Sequence, residues 1–107
     1  MTPNAEITPA ELKARLDAGP PIDVLDVREE WEHALGALPG ARLIPMDELP
    51  RHLDELSRER ELVVYCHHGI RSAAAVEWLR RQAIPALSLL GGIDAWAAEI
   101  DPGLPRY

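Results

Sequence analysis

The chain predicts an α/β domain: a mainly parallel central sheet with helices on both faces. Two observations carry that reading. Short apolar runs alternate along the 107 residues with longer segments of helical periodicity, the order expected of repeated strand–helix units. The run Leu62-Val63-Val64-Tyr65 is apolar throughout and rich in β-branched residues, as suits a strand covered on both faces.

Each element has a local cause. Thr8-Pro9-Ala10-Glu11 opens the first helix, with Thr8 at the N-cap, Pro9 at the first helical position and Glu11 placed for a capping box. Leu12 and Leu16 supply its apolar stripe, and Gly19-Pro20-Pro21 ends it. Ile22 to Val27 reads as a buried strand, Glu29 to Leu35 as a short helix, and Leu38-Pro39-Gly40-Ala41 as a turn. Arg42 to Pro45 is a second short strand and Asp47 to Leu56 a third helix. After the central strand, Ser72 can cap a helix running to Arg81, with Ala73, Val76 and Leu79 on one face and Arg80 and Arg81 at its negative end. Ala86 to Leu90 is the last strand, and Gly91-Gly92 turns into a helix from Ile93 to Glu99, with Trp96 as core packing. Right-handed crossovers bring Asp26-Val27-Arg28 and the residues from Cys66 onward to one sheet edge, where such sheets bind ligands.

Residues 1–107 are expected to form one domain, with enough chain to bury a core without a metal or disulfide staple. Phenylalanine is absent, so the aliphatic residues and Trp31, Trp78 and Trp96 are expected to fill that core. A formal net charge of −7 argues against nucleic acid and anionic membranes as partners. One cysteine excludes an intrachain disulfide and fits a reducing compartment. Met1 to Glu6 lacks the basic and apolar regions of a signal peptide, and no apolar run approaches the ~20 residues that cross a bilayer. A cytoplasmic protein is the expectation.

The chemistry gathers in Cys66-His67-His68-Gly69-Ile70-Arg71-Ser72. A lone cysteine at a strand end is commonly a small buried hydrophobe. Here a tight polar loop and a helix start follow it, with Arg71 close by. That order surrounds a thiol with backbone N–H groups, a helix dipole and a guanidinium, a setting that favours the thiolate and any anionic sulfur it acquires. Gly69 supplies the positive-φ turn that lets successive amides converge. His67 and His68 read as exposed loop residues that tune the local field and donor access. No second sulfur or spaced histidine completes a metal site with them, so no metal is expected. His33 and His52 sit on predicted helices and read as surface residues.

Four segments in order make a specific pattern: Asp26-Val27-Arg28-Glu29 with Trp31-Glu32; Pro39-Gly40-Ala41 leading to Ile44-Pro45; Val63-Val64-Tyr65-Cys66 with Gly69 and Arg71-Ser72; and Leu90-Gly91-Gly92-Ile93 with Ala95-Trp96. On these the chain resembles the single-domain rhodanese-like sulfurtransferases over nearly its whole length. The resemblance implies the rhodanese fold and a reaction that needs no cofactor. Cys66 would take the outer sulfur of an anionic donor such as thiosulfate and pass it from a persulfide to cyanide, a thiol or a sulfur-accepting protein. It also implies that Arg71 holds the donor's oxyanion end or clamps the loop, and that Asp26 and Arg28 pair with charged neighbours and shape the cleft. Family knowledge links the four-residue spacing between Cys66 and Arg71 to sulfur transfer, and a loop longer by one residue to phosphatases and arsenate reductases. A persulfide-carrier module serving a biosynthetic enzyme is the alternative; a phosphatase or arsenate reductase ranks below it. Two departures stand out. Gly36-Ala37-Leu38-Pro39-Gly40 lacks a histidine the family commonly shows there, and Ala83-Ile84 replaces its usual Gly-Phe.

Overall fold

The computed structural model describes residues 5–19 and 21–107. The readings made on Met1–Asn4 and Pro20 lie outside the described residues. The elements are β1 (Glu6–Ile7), α1 (Pro9–Ala18), β2 (Asp23–Asp26), α2 (Glu30–Leu35), β3 (Arg42–Leu43), a 3₁₀ segment (Met46–Glu55), β4 (Leu62–Tyr65), α3 (Ile70–Arg81), β5 (Ala86–Leu89) and α4 (Gly92–Glu99). The strands form one parallel sheet in the order β1-β5-β4-β2-β3, with β4 at its centre. The sheet and its helices match the fold class predicted from the alternating pattern.

Successive side chains of β4 point to opposite faces, so its four apolar residues feed two cores. Leu62 and Val64 pack with Ala75, Val76 and Leu79 of α3 and with Leu49 of the 3₁₀ segment. Val63 and Tyr65 pack with Leu12 of α1 and with Ile93 and Trp96 of α4. Helices therefore cover both faces, and the uninterrupted apolar run is the direct consequence.

The capping box of α1 forms as the sequence predicts: the Glu11 amide donates to Thr8 Oγ1 at 3.1 Å and the Thr8 amide to Glu11 Oε1 at 2.9 Å. Three readings need correction, and one strand, β1, is absent from the sequence reading. The expected helix from Asp47 is a 3₁₀ segment, because Pro50 inside it has no N–H to donate and its ring crowds an α-helical carbonyl. The two residues of β1, paired as Glu6↔Ser88 and Ile7↔Leu89, are too few to show any periodicity in sequence. Helix α3 starts at Ile70 behind Gly69, so Ser72 lies inside the helix and is not its cap; the buried face is Ser72, Ala75, Val76 and Leu79, with Ala73 exposed. Trp31 is 61 % exposed and stays out of the core, which Trp96 enters and Trp78 borders.

Where the family commonly places glycine, Ala83 adopts φ 65°. The left-handed region crowds an alanine Cβ against the backbone, at a cost of roughly 1–2 kcal/mol that exceeds the entropy a glycine would add to the unfolded chain. Ala83→Gly is expected to raise stability by up to about 1 kcal/mol in urea unfolding, with the slope of the transition unchanged.

Candidate active site

Parallel register aligns the ends of β2 and β4, Asp26 opposite Tyr65, so the chain leaves both strands along one edge. At that edge Cys66 is 1 % exposed. Its Sγ accepts the Gly69 N–H at 3.1 Å and the Ser72 N–H at 3.3 Å, and lies 3.5 Å from Ser72 Oγ. Ser72 Oγ is in turn 2.8 Å from Ser88 Oγ on β5. The loop closes this tightly because Gly69 takes φ 101°, which aims the next turn of amides back at the sulfur.

The other side of the loop is held by α4. The amides of Ile93 and Asp94 donate to the carbonyls of Cys66 (2.9 Å) and His67 (3.1 Å). A Cβ on Gly92 would stand 2.5 Å from the Cys66 carbonyl oxygen and 2.4 Å from that of His67, and Gly92 itself has φ 60°. The sequence shows Gly91-Gly92 as a turn; the structure makes it the seat of the cysteine loop.

Arg71 turns away from the loop to form a two-point pair with Glu32 of α2, Nη1 to Oε1 at 2.8 Å and Nη2 to Oε2 at 2.9 Å. Those hydrogen bonds hold the buried Glu32 carboxyl at about 2, well below the ordinary 4.5. Glu32 is a site residue that the sequence offered only as part of a family motif, since its partner lies 39 positions away.

Behind the loop Asp26 and Arg28 are completely buried and paired, Nε to Oδ1 at 2.9 Å and Nη2 to Oδ2 at 2.7 Å. Burial alone would raise the Asp26 carboxyl, but hydrogen bonds from Arg28 and His33 outweigh it and hold it below the usual range. The Tyr65 hydroxyl donates to Asp26 Oδ2 at 3.1 Å and accepts the Leu38 amide at 3.2 Å. His33, expected on the surface, is half-buried with Nδ1 2.8 Å from Asp26 Oδ2. The pair thus braces the strand end beneath the loop.

Residues 8–99 match the family described as the Rhodanese-like domain. The chain belongs to the rhodanese-like family. A sulfurtransferase of Allochromatium vinosum is 37 % identical to this rhodanese-like chain over 101 residues, covering 94 % of this chain and 92 % of that protein. The crystal structure of a rhodanese-like domain protein from Staphylococcus aureus superposes with a TM-score of 0.84 at 38 % identity, covering 95 % of this chain and 97 % of its own. The adenylyltransferase and sulfurtransferase MOCS3-1 of Zea mays is 32 % identical over 112 residues; the match takes in 97 % of this chain but 24 % of that longer protein.

His67 and His68 flank the rhodanese-like loop with stacked rings, centroids 3.8 Å apart and 22° between planes. His68 is exposed, whereas His67 is half-buried, against the expectation for it. Burial and the neighbouring His68 lower the basicity of His67. The fold brings Asp94 close enough that one donor atom from each of His67, His68 and Asp94 falls within 4.8 Å of the others. Zinc lies in the plane of each imidazole about 2.0–2.1 Å from its nitrogen, so one ion cannot serve two nearly parallel rings without a ring turning. Asp94 moreover holds Arg106 at both carboxylate oxygens, 3.1 Å each. A cleft of about 390 Å³ lies at the opposite end of β2 and β4, lined by Asp23, Arg42, Glu55 and Arg60, whose charges pair as Arg42–Glu55 and Arg60–Asp23. Its charged side chains pair with one another, and no residue of the Cys66 loop lines it. Among the described residues no helix is long and apolar enough to cross a membrane.

Gly92→Ala is expected to push the Cys66 and His67 carbonyls off α4. Thermal unfolding should fall by several degrees and Cys66-dependent activity should drop further than the folded fraction does. Because Glu32 titrates lower folded than unfolded, its pairing stabilises fully above about 4.5 and is lost as pH falls towards about 2. Glu32→Gln should therefore flatten the stability–pH curve across that window in acid-urea titrations.

Proposed function

We propose that this chain is a thiosulfate-type sulfurtransferase that carries a sulfane sulfur on Cys66. The observation that supports it most is the convergence of the Gly69 and Ser72 N–H groups on one cysteine sulfur. Those two amides are placed to hydrogen-bond the anionic sulfur that a persulfide on Cys66 carries. The Cys66 thiolate attacks the outer sulfur of thiosulfate; the sulfur–sulfur bond of the donor breaks, and its electron pair leaves with sulfite, which takes no proton. The persulfide on Cys66 is then attacked at its outer sulfur by cyanide or a thiolate. The new bond gives thiocyanate or an acceptor persulfide, and Cys66 regains its electron pair.

Ser72 serves through its amide and Gly69 through its turn, while Ile70, 82 % exposed, and His68 rim the loop. Arg71, with its charge matched by Glu32, acts as a clamp between α2 and the loop. Asp26 and Arg28 brace the strand end and touch no substrate. On a protein of net charge −7, attraction of an anionic donor falls to the loop amides and the rim.

A protein acceptor is the second reading. It is favoured by the match to one segment of a plant protein whose name joins adenylyltransferase with sulfurtransferase. The chemistry at Cys66 is the same, and only the second nucleophile differs.

Treatment with thiosulfate followed by non-reducing mass spectrometry is expected to add one sulfur atom to the wild-type chain and none to Cys66→Ser. Cyanide should then remove it as thiocyanate. An unchanged wild-type mass, or aryl phosphate turnover lost in Cys66→Ser, would reverse the assignment.

A further inference from the structure

Tyr107 lies eight residues beyond the span matched to the family, 8–99, and yet reaches the centre of the site. Its hydroxyl accepts Arg28 Nη1 at 2.8 Å and donates to Glu32 Oε2 at 2.7 Å. The same Glu32 oxygen receives Arg71 Nη2 at 2.9 Å. Its ring stacks on His67, centroids 3.8 Å apart and 9° between planes, and meets Trp31 edge-on at 5.8 Å. Arg106 beside it grips Asp94 in the first turn of α4, so the segment is anchored to the helix that seats the cysteine loop.

These contacts add a direct side-chain bridge between two networks that also meet on α2, where His33 reaches Asp26 and Glu32 reaches Arg71. Arg28 is fully buried and held by Asp26 at two points. Arg71 is more than a third exposed, and its partner Glu32 is held at Oε1 by the Glu29 amide, 3.0 Å, while the Tyr107 hydroxyl restrains Oε2. The same hydroxyl ties Glu32 to the buried Arg28. The ring does the same for His67, whose Nε2 is buried without a hydrogen-bond partner. A buried nitrogen left unpaired costs free energy, and released from the stack the ring could turn to water. The stack therefore holds a loop residue next to the nucleophile in a place it would not keep by itself.

We propose that Tyr107 is a positioning residue of the Cys66 loop, setting Arg71 through Glu32 by its hydroxyl and His67 by its ring. The proposal rests on the sulfur-transfer reading for its kinetic consequence, not for its geometry. It makes the segment after α4 a working part of the site, although that segment lies outside the family match.

Two variants of the full chain test it. Tyr107→Phe keeps the ring and removes the hydroxyl bridge; Tyr107→Leu removes both. With thiosulfate and cyanide, the Leu variant is expected to lose about tenfold in kcat and the Phe variant less, with KM for thiosulfate little changed, since misplacing a reacting loop acts on the chemical step. In NMR spectra the His67 ring protons should move downfield in the Leu variant as the stacked ring current is lost, while those of His52 stay put. Wild-type kcat in both variants, or a loss no larger than the fall in folded protein, would overturn the proposal. If the Leu variant does not fold, the Phe variant decides by the same two outcomes. If the wild type transfers no sulfur at all, the proposed function fails on its own. The His67 shifts and the rate of Cys66 alkylation by iodoacetamide then decide for Tyr107: both unchanged in the variants overturns it, and both changed supports it.

Discussion

A single sulfur atom with two amides pointing at it places strict demands on the chain around it. For the Gly69 and Ser72 N–H groups to reach Cys66 Sγ together, the backbone must leave a buried strand, reverse through a left-handed residue and enter a helix within a few positions. Such a loop has little internal bonding of its own. It keeps its shape because α4 takes its carbonyls from one side and α3 begins directly from the other. The apolar sheet beneath supplies the rigidity, with β4 packed against helices on both faces so that its end cannot shift.

Charge is arranged in layers around that loop. The innermost pair, Asp26 and Arg28, is sealed from water, and every strong donor or acceptor there has a partner, which keeps the burial tolerable. The second pair, Glu32 and Arg71, spans from buried to half-exposed and connects the loop to α2. Tyr107 couples the two. An acidic protein thereby keeps its cations near the site mostly engaged with carboxylates. Backbone dipoles, not free side-chain charge, are left as the field at the Cys66 sulfur.

Much of this was legible in the residues. The alternation of apolar runs and helical stripes specified the parallel sheet, and the capping box of α1 was readable from four consecutive residues. Cys66, Gly69 and Arg71 stood out because loop spacing is a local property. The missed features are of other kinds. A two-residue strand such as β1 carries no period, Pro50 changed the type of a helix whose presence was evident, and Ser72 lost its capping role to Gly69, three residues earlier. Trp31 looked like core by composition, but it sits on the outer side of a short helix and packs on Tyr107 at the surface.

What the sequence alone determined was the order of elements and the presence of a cysteine in a strand–loop–helix turn, because hydrophobic period, glycine and proline act over a few neighbouring residues. Only the tertiary structure decided what that turn is tied to. Glu32 meets Arg71 across 39 positions, Tyr107 meets Glu32 across 75, and the α4 amides reach the Cys66 and His67 carbonyls from the far side of β5. Such meetings depend on how crossovers stack around the sheet and leave no contiguous pattern along the chain.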